Sequence, residues 1–332
     1  MKRALPVGVI GVGVLGWHHA RHLAAMPDVE LAGVYDIRPE RSQHVADALG
    51  TRACRSREEL LGRSQAVTVA VPTANHGEVG LAVLEAGRPL LMEKPLAATL
   101  DEADALVDAA GREGVILHVG HIERFNRALR GAEPFLDRPL FIEGERLAPF
   151  QPRGTDVPVV LDLMIHDLDL ILHLAGGALL EAIDVRANGA AVLSQHLDVA
   201  HARVEFNTGL VASVTASRIA EAQVRRLRIY QEEGYLSLDL AQGRGEFIRL
   251  RNRWTRGDDA LLEEVTERIP LQAPVADALR LELESFVEAV RGGGEAYVSG
   301  AEGRAALALA LRVAAAVHHA TPTPHQIGRA HV

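Results

Sequence analysis

Positive charge, cysteine and long apolar runs are all scarce in this 332-residue chain, and each shortage excludes a class of protein. The formal net charge is −9, so there is no basic stripe of the kind that collects nucleic acid or anionic lipid. The single cysteine, Cys54, cannot form an internal disulfide. The most apolar segment, 305–317, is short for a membrane span and contains Arg312. The opening "MKRALPVGVIGVG" has glycines where a signal peptide would be apolar. We therefore expect a cytoplasmic enzyme with neither a nucleic-acid nor a membrane partner.

The N-terminal third of the chain alternates between two kinds of pattern. Short β-rich runs are separated by helical patterns such as "LGWHHARHLAAM". The predicted strands are "LPVGVI", "VELAGVYD", "QAVTVAV", "RPLLME" and "GVILHVG". Strands that alternate with helices predict a parallel, doubly wound α/β sheet. We assign this domain to residues 1–120.

A glycine-rich segment, "GVGVLG", follows the first predicted strand and opens the first helix. Gly11 would allow the tight turn, Gly13 would let the backbone approach a pyrophosphate, and Gly16 would let helix and strand pack closely. Val14 and Leu15 lie between them, where amide groups at the helix start face the phosphate charge. This context makes the segment a predicted dinucleotide site.

The choice between NAD and NADP depends on the end of the second predicted strand. Asp36 would accept hydrogen bonds from the adenosine ribose, and its charge would repel a 2′-phosphate. Arg38, two residues after Asp36, reduces the resulting preference for NAD over NADP, because a guanidinium attracts phosphate. We predict NAD as the cofactor, with NADP as the less favoured alternative.

Two later strand ends carry candidate residues for the nicotinamide side. Pro72 and Thr73 follow the third predicted strand, at the edge where open α/β sheets bind ligands. Lys94 ends the fourth strand in "MEKP" and would project from the same edge. It could carry chemistry there, or Glu93 and Lys94 could form a solvated turn.

The segment "DLMIHDLDL" carries an aligned polar stripe. In a helix, Asp162, His166, Asp169 and His173 fall within one narrow sector, at spacings of four, three and four. Such a stripe suits a solvated face, a metal site or a proton-transfer device. We predict no metal, because one helix rarely closes a metal site and the other ligands would have to come from elsewhere.

Four motifs in the same order resemble the glucose-fructose oxidoreductase/inositol dehydrogenase/MocA family. They are "GVGVLG", the P-x-x-x-H of Pro72 and His76, the "EKP" that begins at Glu93, and the D-x-x-x-H-x-x-D that begins at Asp162. The resemblance implies a Rossmann domain followed by an α+β domain with an open, mostly antiparallel sheet. That second domain, residues 121–325, would carry the substrate site and form a dimer or tetramer.

Hairpin and helix patterns in the second half agree with this expectation. Segments 201–218 and 226–240 alternate about short turns, and 275–293 is an amphipathic helix that ends in glycines. The final "IGRAHV" resembles translated sequencing-adapter DNA, so we treat residues 326–332 as a tail of non-native origin.

The resemblance also implies roles for individual residues. Lys94, Asp162 and His166 would form the catalytic set, with His76 and Glu93 beside the cofactor. A neutral imidazole with a pKa near 6.5 suits a general base. Lys94 would favour the developing alkoxide, and Asp162 would orient the imidazole ring or bind the substrate hydroxyl.

Two further residues of the stripe have weaker assignments. Asp169 matches the family motif and would anchor His166 or a neighbouring element. His173 has no assigned role. Asp167 points about 140° away from Asp162 at 100° per residue, so we place it outside the contact set.

Within the family, segments 119–129 and 148–176 and "GYLSLDL" are most similar to bacterial UDP-N-acetylglucosamine 3-dehydrogenases. This implies NAD-dependent oxidation of a sugar 3-hydroxyl to a ketone, which feeds an aminotransferase in the lipid A diamino-sugar pathway. Candidate substrate contacts are Arg124, Asn126 and Arg153, with Arg146 as a further candidate, since guanidinium groups bind phosphate in a fork.

Three alternatives remain open at this point. The chain could oxidise a free polyol or sugar such as inositol, act as an NAD-dependent glycosidase, or serve as a non-catalytic dinucleotide-binding regulator. One departure from relatives is Arg127, where proline is usual after "RFN".

Overall fold

The computed structural model describes residues 4–151, 157–176, 180–251 and 262–319. The first part of the chain forms a five-stranded parallel sheet in the order β2-β1-β3-β4-β5. Its elements are β1 (Leu5–Ile10), α1 (Val14–Ala24), β2 (Val29–Tyr35), α2 (Pro39–Leu49), α3 (Arg57–Arg63), β3 (Ala66–Val69), α4 (His76–Glu85), β4 (Leu90–Glu93), α5 (Leu100–Glu113) and β5 (Leu117–Gly120). The predicted parallel α/β sheet is confirmed.

The second part forms a nine-stranded sheet in the order β13-β12-β11-β10-β6-β9-β8-β7-β14. Its elements are α6 (Arg127–Ala132), β6 (Phe141–Leu147), α7 (Ile165–Ala175), β7 (Ala182–Ala190), β8 (Val199–Phe206), β9 (Val211–Ser217), β10 (Val224–Gln231), β11 (Gly234–Asp239), β12 (Arg244–Leu250), α8 (Leu262–Val265), β13 (Thr266–Pro270), α9 (Ala278–Gly292), α10 (Gly300–Ala316) and β14 (Val317–His319). Its described pairings are antiparallel except β6 with β9 and β7 with β14. The predicted open, mostly antiparallel sheet is confirmed.

The two faces of this second sheet differ in chemistry. Along β10, Leu227 and Ile229 are fully buried beneath the helices. Arg226 and Arg228 alternate with them and are exposed on the opposite face. There Arg228 lies 3.5 Å from Glu143 of the neighbouring strand β6. One face of the sheet therefore builds the core, and the other is polar.

The helices at the end of the described chain tie the two sheets together. Leu283 and Phe286 of α9 are buried in a core that includes β1 and β2, although α9 follows the second sheet in sequence. On α10, a Cβ added at Gly303 would lie 2.5 Å from Val119 of β5, so the helix approaches the first sheet closely. Val313 of the same helix is buried in the core of the second sheet. Helix α10 thus fixes the relative position of the two sheets.

The helix that carries the polar stripe is not regular throughout. Val160–Met164 form one wider, π-helical turn, and the α-helical part begins at Ile165. Asp162 lies in the wider turn and His166 in the α-helical part. The segment is helical, as predicted, but the irregular turn changes the direction in which Asp162 points relative to a straight helix. Such turns are often found at functional sites.

No helix in the described ranges is long and apolar enough to cross a membrane. The apolar segment noted in the sequence is instead part of α10, where Ala306, Leu307 and Ala310 are fully buried.

Close packing at the glycine-rich turn predicts a difference between two glycine-to-alanine variants. A Cβ at Gly16 would lie 1.8 Å from the carbonyl oxygen of Gly11, whereas one at Gly62 of α3 would meet no atom within 4 Å. We expect Gly16→Ala to lower the free energy of unfolding by about 1–3 kcal/mol or more through overpacking. Gly62→Ala should raise it by roughly 0.5–1 kcal/mol, because alanine favours a helix. Urea unfolding measures both, and equal stabilities would contradict the packing role of Gly16.

Candidate active site

The glycine-rich turn between β1 and α1 forms an open cradle. Gly11 has a φ of +82°, and a Cβ there would lie 2.7 Å from the backbone oxygen of Ala70. At Gly13, by contrast, the nearest atom to an added Cβ is Nη1 of Arg41 at 4.0 Å, so that side of the backbone is accessible. Amide groups at the start of α1 face the same side and favour an anion. The cradle therefore fits the pyrophosphate of a dinucleotide.

A cavity of about 810 Å³ extends from this cradle along the carboxyl ends of the parallel strands. Most of the residues predicted to bind the cofactor line it. They are Gly11, Gly13, Val14, Leu15, Asp36, Arg38, Pro72, Glu93 and Lys94. Gly16, Thr73 and His76 are not among its lining residues.

His76 lies behind the cavity wall. Its ring nitrogens are 2.7 Å from the carbonyl oxygen of Pro95 and 3.0 Å from that of Val71, and the residue is almost fully buried. Burial lowers the pKa of His76. The neutral imidazole packs between the segments that follow β3 and β4 and donates its single N–H to one of these two carbonyl oxygens.

Asp36 is fixed at the wall of the cavity by its own neighbours. Its carboxylate accepts hydrogen bonds from the backbone N–H groups of Val12 at 2.9 Å and Arg38 at 3.0 Å. Two arginines missed by the sequence reasoning, Arg41 and Arg57, also line this end. Arg57 is paired with Glu78 at 2.8 Å. The part of the cavity around Asp36 therefore combines one fixed carboxylate with the guanidinium groups of three arginines.

Lys94 leaves the end of β4 and reaches the second domain. Its Nζ donates to the backbone carbonyl oxygen of Asp162 at 2.7 Å and lies 3.4 Å from that residue's Oδ1. The side chain of Lys94 is only 19% exposed, so it is not part of a solvated turn. The structure thus brings together Lys94 and Asp162, which are far apart in sequence.

His166 follows Asp162 by one helical turn and is partly buried. Its Nδ1 is buried and has no hydrogen-bond partner among the described residues. Burial, followed by the positive charges of Lys94 and Arg146, lowers the pKa of His166 well below its usual value. The imidazole is therefore neutral at pH 7 and able to accept a proton.

Arg124, a predicted phosphate contact, is instead buried in an ion-pair network. Its Nε and Nη2 donate to the two carboxylate oxygens of Asp169 at 2.9 and 2.6 Å, and its Nη1 donates to Glu302 at 2.6 Å. Nδ1 of His173 lies 3.3 Å from the same Nη1. Asp169 and His173 are thus contacts of Arg124 within the fold. The same contacts correct the prediction that Arg124 binds the substrate, because its guanidinium is buried and not accessible to a substrate.

Arg146 of β6 is also held by buried carboxylates. It forms a fork with Asp167 at 2.8 and 2.9 Å and donates to Glu123 at 2.7 Å. Asp167, which the helical projection placed outside the site, thus anchors α7 to the second sheet immediately beside His166. The sequence offered no signal for this pair, since its members are brought together only by the packing of α7 on β6.

Asn126 also has a structural role. Its side chain caps α6 by accepting from the N–H of Ala128 at 3.0 Å, and it donates to Glu123 and to the carbonyl of Leu240, each at 2.9 Å. These contacts correct the prediction that it binds substrate, because both ends of the amide are used within the fold. Arg153 lies outside the described residues, so its predicted role stays a prediction.

Three fully buried titratable groups lie near the end of β5 without hydrogen-bond partners among the described residues. They are His118, His121 and Glu282. Burial is the main reason that the pKa of His118 falls to about 3, so that this imidazole is uncharged at pH 7, and that the pKa of Glu282 rises well above its usual value. Within the described ranges, no group of three or more His, Cys, Asp or Glu residues is arranged to hold a metal ion.

Comparison with known proteins identifies both halves of this architecture. Residues 5–121 match the model of an oxidoreductase family with an NAD-binding Rossmann fold, and residues 147–324 match the C-terminal alpha/beta domain of the same family. The chain belongs to the glucose-fructose oxidoreductase/inositol dehydrogenase/MocA family. It is thus an oxidoreductase that uses a nicotinamide dinucleotide, and the predicted resemblance is confirmed.

Individual relatives are similar along nearly their whole length. A UDP-N-acetylglucosamine 3-dehydrogenase from Acidithiobacillus ferrooxidans is 38% identical over 93% of this chain and 96% of its own. Its crystal structure superposes with a TM-score of 0.87 over 95% of this chain and 97% of the other. A scyllo-inositol 2-dehydrogenase (NAD⁺) from Bacillus subtilis is 26% identical over 100% of this chain and 99% of its own.

The buried network around Arg124 predicts a large loss of stability when its charge is removed. Arg124→Met would leave Asp169 buried without its partner, which should lower the free energy of unfolding by about 3–5 kcal/mol. The matched control is Arg304→Met on α10, because Arg304 pairs with Asp104 at 2.7 Å at the surface. We expect that control to cost at most about 1 kcal/mol in urea unfolding. Similar losses in the two variants would contradict a structural role for Arg124.

Proposed function

We propose that this chain oxidises the 3-hydroxyl of UDP-N-acetylglucosamine to a ketone with NAD. The observation that carries the proposal is the contact of Lys94 Nζ with the backbone oxygen of Asp162 at 2.7 Å, because Lys94 lines the cofactor cavity and Asp162 lies one helical turn from a neutral His166. A fixed cation and a neutral base beside a dinucleotide site are the groups that alcohol oxidation requires.

Each residue of this set has a separate role in the reaction. When bound, NAD supplies the acceptor for the hydride that leaves the sugar carbon with its electron pair. His166 accepts the hydroxyl proton, and the carbon–oxygen double bond forms as the C–H bond breaks. The ammonium of Lys94 stabilises the negative charge that develops on the oxygen. Asp162, whose side chain is 31% exposed, is available to bind the reacting hydroxyl.

Asp36 supports NAD over NADP as the partner of this reaction. Its carboxylate lines the cavity and is held by backbone N–H groups, so a 2′-phosphate there would face a fixed negative charge. Arg38 and Arg41 line the same end and reduce this preference.

The assignment to a sugar nucleotide draws on the relatives. The UDP-N-acetylglucosamine 3-dehydrogenase is 38% identical to this chain, whereas the inositol dehydrogenase is 26% identical. Dehydrogenation of a free polyol such as inositol is the second candidate. Retention of Lys94 and His166 favours an enzyme over a non-catalytic regulator, and net release of NADH would separate a dehydrogenase from an NAD-dependent glycosidase.

The product and the assembly complete the proposal. A 3-keto sugar nucleotide is a substrate for an aminotransferase, which would provide a diamino sugar for lipid A in the cytoplasm.

The polar face of the second sheet offers the surface for a dimer or tetramer. Tyr230 stacks on Tyr235 there at 5.3 Å and lies 5.8 Å from Phe141, and its hydroxyl donates to Glu143.

The direct test is turnover of a substrate panel. The purified chain is incubated with NAD or NADP and with UDP-N-acetylglucosamine, other UDP-sugars, inositols and free sugars, while NADH absorbance is followed and an aminotransferase removes the ketone. We expect turnover of UDP-N-acetylglucosamine, with NAD preferred. Turnover of a polyol without turnover of any UDP-sugar would overturn the substrate assignment.

His166 should be required for turnover but not for cofactor binding. We expect His166→Asn to lower kcat by roughly 10²- to 10⁴-fold, because the variant lacks the general base. Its Kd for NAD, measured by isothermal titration calorimetry, should stay near the wild-type value.

The control for this variant is His196→Asn, which changes an exposed histidine in a surface loop. That variant should retain wild-type kcat. Loss of NAD affinity in His166→Asn would show that His166 supports the fold, and the proposed mechanism would then be wrong.

A further inference from the structure

Arg225 lies on the helix-facing side of the second sheet, beside α7. It shares that side of β10 with Leu227, because side chains two residues apart point to the same face of a strand. Gly144 of β6 lies opposite Leu227. A Cβ added at Gly144 would lie 3.6 Å from Asp167 of α7 and 3.7 Å from Leu227, so α7 packs close to this part of the sheet. On the neighbouring strand β6, the residue opposite Arg225 is Arg146, which anchors Asp167. Arg225 therefore lies beside α7, the helix that carries His166.

Arg225 differs from the two buried arginines near the site in how far it is exposed. Its side chain is 38% exposed, whereas those of Arg124 and Arg146 are 1% and 3% exposed. The buried pair are held by carboxylates through forks and cannot turn towards a ligand. Arg225 alone of the three has a guanidinium that solvent reaches.

The contacts of Arg225 leave much of its charge available. Its Nη1 lies 3.2 Å from Oε1 of Glu123, an oxygen that already accepts from Arg146 at 2.7 Å. Its Nε and Nη2 face the exposed Gln223, which accepts at 3.2 and 2.8 Å with its amide oxygen turned towards the guanidinium. Gln223 is neutral, so an incoming anion could replace it without breaking an ion pair.

The guanidinium is also near the reacting groups. Arg225 contacts Glu123, Glu123 contacts Arg146, and Arg146 holds Asp167, the residue after His166. Burial is the main cause of the lowered pKa of His166, and the charge of Arg225 adds to it. An anion bound to Arg225 would therefore lie on the same side of the sheet as α7, the helix that carries His166.

We propose that Arg225 binds the diphosphate of a nucleoside-diphosphate sugar and so selects for that substrate class. The proposal rests on the proposed function. A guanidinium suits this role because it presents parallel N–H donors to phosphate oxygens. Arg225 would take a phosphate contact of the kind that the sequence reasoning gave to Arg124, Arg146 and Arg153.

The test compares Arg225→Met with Arg226→Met. Arg226 is the next residue along β10 and is exposed on the opposite face of the sheet. It therefore has the same charge as Arg225 and a neighbouring position, but its side chain points away from α7. We expect Arg225→Met to raise KM for UDP-N-acetylglucosamine, and Kd for UDP at saturating NADH, by about 10- to 100-fold, as for loss of a charge-assisted hydrogen bond. Its kcat should stay within about threefold of wild type, and Arg225→Lys should recover part of the affinity. Arg226→Met should retain wild-type values.

A merely structural role for Arg225 would give a different pattern. Disturbance of Glu123 and Arg146 would lower kcat and shift its pH dependence, with no selective loss of UDP affinity, and that result would overturn the proposal. The binding measurement also separates the two hypotheses. If the wild type binds UDP through Arg225 but does not oxidise UDP-N-acetylglucosamine, the proposed function fails and the assignment of Arg225 stands. A wild type that binds no UDP would overturn the assignment itself.

Discussion

The hydrogen bond from Lys94 to the carbonyl of Asp162 is the interaction on which the candidate site depends, because it joins the two domains at the proposed catalytic centre. Lys94 comes from the edge of the parallel sheet and Asp162 from the irregular turn before α7. A cation held at 2.7 Å by a carbonyl has a defined position without losing its charge. Preorganised charge of this kind stabilises a developing alkoxide more than mobile charge does, since it needs no reorientation during the reaction.

The position of that contact is maintained by buried ion pairs rather than by the proposed catalytic residues themselves. Arg124 with Asp169, and Arg146 with Asp167, each fix one side of α7. Buried pairs of this kind add little net stability but are costly to break, so they specify one arrangement of the helix. Helix α10 contributes Glu302 to the first pair and packs against both sheets, which connects the helix position to the domain arrangement.

Much of the first domain could be predicted from local patterns. The glycine-rich turn, the strand ends and Asp36 follow from rules that act over a few residues, and the cavity is lined where those rules placed it. The errors fell on polar residues of the second domain. Arg124 and Asn126 looked like ligands for a charged substrate, yet their partners Asp169 and Leu240 are distant in sequence, so nothing local showed that both side chains were already engaged.

The sequence alone determined the class of fold and the dinucleotide turn, because periodicity and backbone requirements are local properties of the chain, whereas the proposed proton-transfer groups came from the family resemblance. Only the tertiary structure decided which charges are free. A guanidinium is available to a substrate when solvent reaches it and carboxylates do not hold all of its N–H donors, and that depends on contacts between elements such as α7, β6 and β10. Arg124 and Arg225 are the same residue type, and burial alone separates an anchor of the fold from a candidate ligand.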